Sequence, residues 1–188
     1  MRSFIAIQIG PHVRARLAQL AVEAESSGVR GRPVKADAIH LTLRFLGEIK
    51  AQQAPDITTA LEQTARRHQT FRIQAQSLGV FPHLERPRVL WVGLAPPTPI
   101  LCLHEELDRH LETLGFAPDS RPFHPHLTLL RIKEAHERHS LGRLIQRNSG
   151  VSFGPVEVRE IVLFESLLKP GGAEYNVWGR AQLRPGPS

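Results

Sequence analysis

Apolar and polar positions alternate from the start of the chain, with Phe4, Ala6 and Gln8 on one side and Ile5, Ile7 and Ile9 on the other, which predicts a strand. From Pro11 to about Ser27 the period changes: Val13, Leu17, Leu20 and Ala24 recur every three or four residues, and Pro11 and Gly28 stand where a helix starts and stops. A basic loop with Arg30, Arg32, Pro33 and Lys35 leads into IHLTLRFLG, a strand from about Ile39 to Leu46 ended by Gly47. A polar helix follows over about 55–68, then the alternating strand Phe71 to Phe81. The second half opens on a strand from about Arg88 to Leu94 and a helix capped by Thr98, with Pro99 in its first turn and Leu103, Leu107 and Leu111 on one face as far as Gly115. After a Pro-rich loop come the strand His126–Arg131, a helix over about 135–147, and two long strands at about 153–167 and 174–183 joined through Lys169-Pro170-Gly171-Gly172. Arg184 to Ser188 reads as a frayed tail.

Each half therefore runs strand, helix, strand, helix, strand. His40 lies 40 − 4 = 36 residues after Phe4, and His126 lies 126 − 89 = 37 after Val89, on strands that are near copies, HLTLRF and HLTLLR. The pattern predicts an internal duplication. The expected architecture is α+β: a bilobal, pseudo-two-fold fold of mostly antiparallel sheets facing a central cleft with helices outside. Its lobes fall at about residues 1–85 and 86–188, a division compatible with strand exchange between them.

Composition narrows the class. The chain has 188 residues, 41% of them hydrophobic, which excludes disorder as its main state. The longest apolar stretch, Val89 to Ala95, is interrupted by Gly93 and is far short of the ~18 residues that cross a bilayer. The N-terminal segment reads as a strand rather than a secretory leader. The single cysteine, Cys102, sits among Ile100, Leu101 and Leu103 and reads as a small buried hydrophobe. It cannot form an intrachain disulfide, which points to a reducing, cytoplasmic setting. With 24 Lys+Arg against 18 Asp+Glu the formal charge is +6, which suits an anionic partner.

The ten histidines carry the candidate chemistry. Strand parity projects His40, Thr42 and Arg44 from one face and Leu41, Leu43 and Phe45 from the other, and places His126 and Thr128 together in the same way. Two such pairs suit hydrolysis at phosphorus without a metal. A neutral imidazole takes a proton from water, the opposite imidazolium gives one to the departing oxygen, and the two hydroxyls donate to phosphoryl oxygens. Parity favours Arg44 as the guanidinium on the phosphate and turns Arg131 away, unless the strand bulges after Leu129. His124 shares the face of His126, but no third ligand with metal-site spacing accompanies them. His136 and His139 read as solvent-facing, and the remaining five histidines as surface or interface residues. Phe45 reads as core, Phe123 as core or a base-stacking ring, and Tyr175 and Trp178 as packing of the last hairpin.

The segments IHLTLRFLGE and RPFHPHLTLLR resemble the two His-x-Thr-x motifs of the 2H phosphoesterase superfamily, in particular the bacterial and archaeal RNA 2′,3′-cyclic phosphodiesterases, also called 2′-5′ RNA ligases. The resemblance continues through FPHLERPRVLWVGL and LFESLLKPGGAEYNVW, and so covers nearly the whole chain. It implies hydrolysis of 2′,3′-cyclic phosphate ends of RNA, tRNA halves among them, to 2′-phosphomonoesters, with no metal or other cofactor and no obligate protein partner. By motif position His40 is the proton donor, His126 the proton acceptor, and Thr42, Thr128 and Arg131 the phosphate ligands. Motif position thereby outweighs ideal parity for Arg131 and leaves Arg44 as the second candidate. Arg30, Arg32, Lys35 and Arg121, in the loops before the two motifs, are candidates for steering an RNA backbone. The alternatives are ligation of RNA ends by the reverse reaction, action on a small cyclic nucleotide, and a non-catalytic module that binds RNA phosphate.

Overall fold

The computed structural model describes residues 1–135, 138–169 and 172–186. Its strands are β1 (Arg2–Gln8), β2 (Val29–Pro33), β3 (His40–Glu48), β4 (Phe71–Phe81), β5 (Val89–Ala95), β6 (His126–Ala135), β7 (Ser152–Val158), β8 (Glu160–Lys169) and β9 (Gly172–Gln182). Its helices, among the described residues, are α1 (Pro11–Ser26), α2 (Ala54–Ala65), α3 (Thr98–Glu112) and α4 (Arg138–Arg147).

All nine strands join one curled antiparallel sheet in the order β7-β4-β5-β6-β3-β1-β8-β9, with β2 added alongside β6. The two sequence repeats meet at its centre, where β3 pairs β6 through Leu41 and Leu127. They also exchange strands: β4 of the first repeat pairs β5, and β8 of the second pairs β1. The spatial halves are therefore β3-β1-β8-β9 and β7-β4-β5-β6, not the contiguous stretches before and after residue 85.

Helices cover one face. α1 packs on β2, β6 and β7, α2 on β8 and β9, and α4 on β4. The main core lies between them and the sheet, including Leu17 and Leu20 of α1, Ile57 and Leu61 of α2, Leu103 and Leu107 of α3, and Leu141 and Leu144 of α4. A smaller apolar cluster of Phe4, Ala6, Val162 and Phe164, with Tyr175 against it, sits apart on the other, open face. Two cores explain why Ser3 to Ile7 of β1 are all buried. Ile5 and Ile7 face the helices, while Phe4 and Ala6 face the open side.

Five expectations are corrected. The basic stretch around Arg30 and Arg32 is the strand β2 rather than a loop. Its backbone takes up the part of β6 that β3 leaves unpaired. The single strand expected over 153–167 is two, β7 and β8, which part at Arg159 to pair with opposite halves of the sheet. Cys102 is exposed, because the buried stripe of α3 runs through Ile100, Leu103, Leu107 and Leu111 and a residue two beyond Ile100 lies off it. Thr98 does not cap α3 with its side chain. Instead the Leu101 amide bonds the Pro97 carbonyl. The tail is held as far as Gly186: Leu183 is buried, and Arg184 and Gly186 hydrogen-bond the backbone and side chains of residues 68–70. In the last hairpin Lys169 pairs Gly172, and the expected turn residues Pro170 and Gly171 lie outside the described residues, as does His136.

Candidate active site

The pairing of Leu41 with Leu127 sets the geometry. Carrying that antiparallel register one residue each way brings His40 opposite Thr128 and Thr42 opposite His126. Both leucines are fully buried toward the helices, so the two histidines and two threonines, each partly exposed, share the open face. The result is a two-by-two array with its histidines on one diagonal. In a regular ladder such diagonal backbones are about 7–8 Å apart, and imidazoles on that diagonal can flank one phosphate.

Arginine placement is decided by two bulges. On β6, Leu90 pairs Leu130 while Trp91 pairs Thr128, leaving Leu129 as the extra residue. Leu129 and Leu130 both turn into the core at 0% exposure, and the alternation restarts one residue late, with Arg131 exposed on the open face beyond Thr128. On β3 the same thing happens: Ile5 pairs Arg44 while Ala6 pairs Thr42, so Leu43 is extra and Leu43 and Arg44 are both buried. Phe45 takes the position that corresponds to Arg131, with 65% of its surface exposed.

Arg44, favoured by ideal parity for the phosphate, therefore lies on the wrong side of the sheet. Its guanidinium reaches Asp108 of α3 at 3.3 Å and Asp119 at 3.3 Å and bonds the Ala117 carbonyl. This ties β3 to the segment that leads into His126. His104 and Phe123 complete the anchor, their rings stacked at 3.9 Å, which places Phe123 in packing rather than at the open face.

The two imidazoles are framed differently. His40 stacks on Phe4 at 4.8 Å and meets the edge of Tyr175 at 5.2 Å. Burial pushes its pKa down to about 4, against a hydrogen bond to the backbone of Ala38 that raises it, and the nearby Arg131 charge lowers it further. That Arg131 acts on both His40 and Tyr175 places its guanidinium beside the array. His126 is also lowered, chiefly by burial, and its Nδ1–H donates to the His124 carbonyl at 2.7 Å. That bond leaves Nε2 as the nitrogen with a free lone pair. Phe81 meets the His126 ring edge-on at 5.0 Å, and Trp91 stands beside Phe81 at 5.0 Å. Trp91 lies over Gly79 so closely that a Cβ there would stand 2.2 Å from the indole, so only glycine admits it. Each motif histidine thus bonds the backbone two residues before it and rests on aromatic rings.

Parity along single strands did not bring out Phe4, Phe45, Phe81, Trp91 or Tyr175. Trp91 is the cross-strand partner of Thr128 and Phe4 that of Phe45, relations visible only once pairing is known. Among the described residues no group of three or more His, Cys, Asp and Glu side chains is arranged to hold a metal, and no helix is long and apolar enough to cross a membrane.

A curled antiparallel sheet with four outer helices and a duplicated His-x-Thr array on its open face defines a phosphoesterase of the two-histidine class. Residues 7–91 and 92–175 each match the model of the LigT like Phosphoesterase family, and the chain belongs to that family. Among curated relatives, a protein of Aeropyrum pernix named RNA 2′,3′-cyclic phosphodiesterase is 38% identical over 161 residues, covering 85% of this chain and 90% of its own. A protein of Thermus thermophilus with the same name is 34% identical over 194 residues, covering 98% and 91%. Among solved structures, one from Thermus thermophilus superposes with a TM-score of 0.79 at 32% identity, covering 98% of this chain and 99% of that one. LigT of E. coli complexed with 3′-AMP gives 0.78 at 29% identity, covering 97% of each chain.

Proposed function

We propose that this protein hydrolyses 2′,3′-cyclic phosphates at RNA 3′ ends to 2′-phosphomonoesters, with His126 as general base and His40 as general acid. The observation that carries the reading is the two-by-two array of His40, Thr42, His126 and Thr128 with Arg131 delivered to its rim by a bulge. The Nε2 lone pair of His126 takes a proton from the water that attacks phosphorus. The bond from phosphorus to O3′ breaks, and His40 supplies the proton that O3′ needs. Thr42 and Thr128 donate to the non-bridging oxygens, and Arg131 neutralises the charge that gathers on them.

The low pKa of His40 fits this order of events. Burial and Arg131 keep its ring neutral at pH 7. A phosphodiester anion between the rings adds the opposite charge, which favours the imidazolium. Substrate thus brings its own proton donor into the charged state. Phe45, exposed on the same face beyond Thr42, offers a ring on which the terminal base can stack.

The proposed substrates are RNAs with cyclic-phosphate ends, tRNA halves among them, and the proposed setting is the reducing cytoplasm. The reading requires no protein partner. The test is incubation with a nucleoside 2′,3′-cyclic phosphate and identification of the product isomer. The expected product carries a 2′-phosphate. A 3′-phosphate product would reverse the roles of the two histidines, and no turnover of any cyclic phosphate would leave a phosphate-binding module.

A further inference from the structure

We propose that β2 is a subsite for the RNA chain upstream of the reacting phosphate, with Arg32 on the adjacent phosphodiester. The inference rests on the cyclic phosphodiesterase reading and adds to it a residue that favours polynucleotide ends over free nucleoside cyclic phosphates.

Register carries the argument. Arg32 is the direct cross-strand partner of Arg131, and opposed residues of an antiparallel pair project from the same face about 5 Å apart. One pair further out Arg30 is the cross-strand partner of the acidic residue Glu134, and Val29, 1% exposed, points into the core. Arg131 and Arg32 therefore form a short row that starts at the histidine array and leads outward across the sheet. Gly31 makes the row possible. A Cβ at this position would stand 2.5 Å from the Arg131 carbonyl oxygen, so a glycine is needed between the two arginines for β2 to lie against β6.

This row sets like charge against like charge. Elsewhere on the surface arginines are held by carboxylates, as in Arg16–Glu23, Arg72–Glu157 and Arg180–Glu160. Arg32 and Arg131 instead stand directly opposite each other across the strand pair, both exposed. Like charges side by side within a Debye length repel, and an anion laid along them relieves that repulsion. A single cyclic phosphate reaches only Arg131, whereas a chain with further phosphodiesters occupies the whole row. Arg121, in the other basic loop, lies beside Asp119 and Phe123 near α3 and takes no part.

The test compares adenosine 2′,3′-cyclic phosphate with a trinucleotide that ends in a 2′,3′-cyclic phosphate, on wild type, Arg32→Ala and Arg32→Lys. Arg32→Ala is expected to lower kcat/KM on the trinucleotide about tenfold more than on the mononucleotide, the scale of one lost charge-assisted contact. The slope of log kcat/KM against log salt for the trinucleotide should flatten by about 0.7 for each contact removed, and Arg32→Lys should keep that slope. Equal losses on both substrates, or none on the trinucleotide, overturn the proposal. Anisotropy titrations with the same trinucleotide ending in a 2′-phosphate, against adenosine 2′-phosphate, make the comparison without turnover. An Arg32-dependent salt slope in a protein that turns over no cyclic phosphate would keep the subsite and refute the catalytic reading.

Discussion

The two motif strands follow the same course and end differently. β3 carries His40, Thr42, a bulge at Leu43 and then Phe45, and β6 carries His126, Thr128, a bulge at Leu129 and then Arg131. Duplication supplies the symmetric part, two imidazoles each bonded to the backbone two residues upstream. Divergence at the residue after the bulge supplies polarity, a guanidinium on one side and an exposed ring on the other. A second divergence lies beneath the sheet, where the buried residue before Phe45 is Arg44 and the one before Arg131 is Leu130. A symmetric site could not tell the two sides of a substrate apart.

The comparison breaks most severely at its symmetric core. His40→Ala and His126→Ala should each lower kcat by at least ~100-fold with circular dichroism unchanged. A mutant of either that retains wild-type turnover removes the two-histidine mechanism. Arg44→Leu makes β3 resemble β6 beneath the sheet and strands Asp108 and Asp119. Urea unfolding should show a loss of about 3 kcal/mol, with kcat/KM reduced far less than by loss of a histidine. Were Arg44 a phosphate ligand the pattern would invert. Arg131→Leu should cost about 100-fold in kcat/KM, by comparison with a lost oxyanion donor.

Burial of His40 makes stability depend on pH with a definite sign. The unfolded chain, with an ordinary imidazole pKa near 6.5, binds this proton more readily than the folded protein, where the pKa is about 4. The stability contribution is therefore complete above about pH 7 and lost as pH falls toward 4. At pH 5 the loss is about 2 kcal/mol. Chemical denaturation at pH 7.5 and 5 should show it in wild type and show that much less in His40→Phe. The smallest effect belongs to the divergent ring: Phe45→Leu should raise KM about tenfold with kcat nearly intact, the scale of one base stacked on an aromatic. A kcat effect as large as that of Arg131→Leu would mean that the ring shapes the reacting centre.

The duplication, the four residues of the array and their common face are legible in the sequence. Side-chain direction in a strand has a period of two, and the chain repeats HLTL at matched positions, so His-x-Thr needs no partner strand to be read. What followed the motif was out of reach. A bulge exists only relative to the strand alongside, and β1 and β5 each skip one residue of the motif strand at the same point. That is why parity assigned Arg44 to the phosphate and Phe45 to the core, when the pairing exchanges them and brings Arg131 to the open face. Tertiary structure alone also decided that Phe4 and Tyr175 pack on His40, that the stretch around Arg30 and Arg32 is a strand laid against β6, and that β4 and β8 change places between repeats. Each of these depends on contacts between residues far apart in the chain, on which local periodicity carries no information.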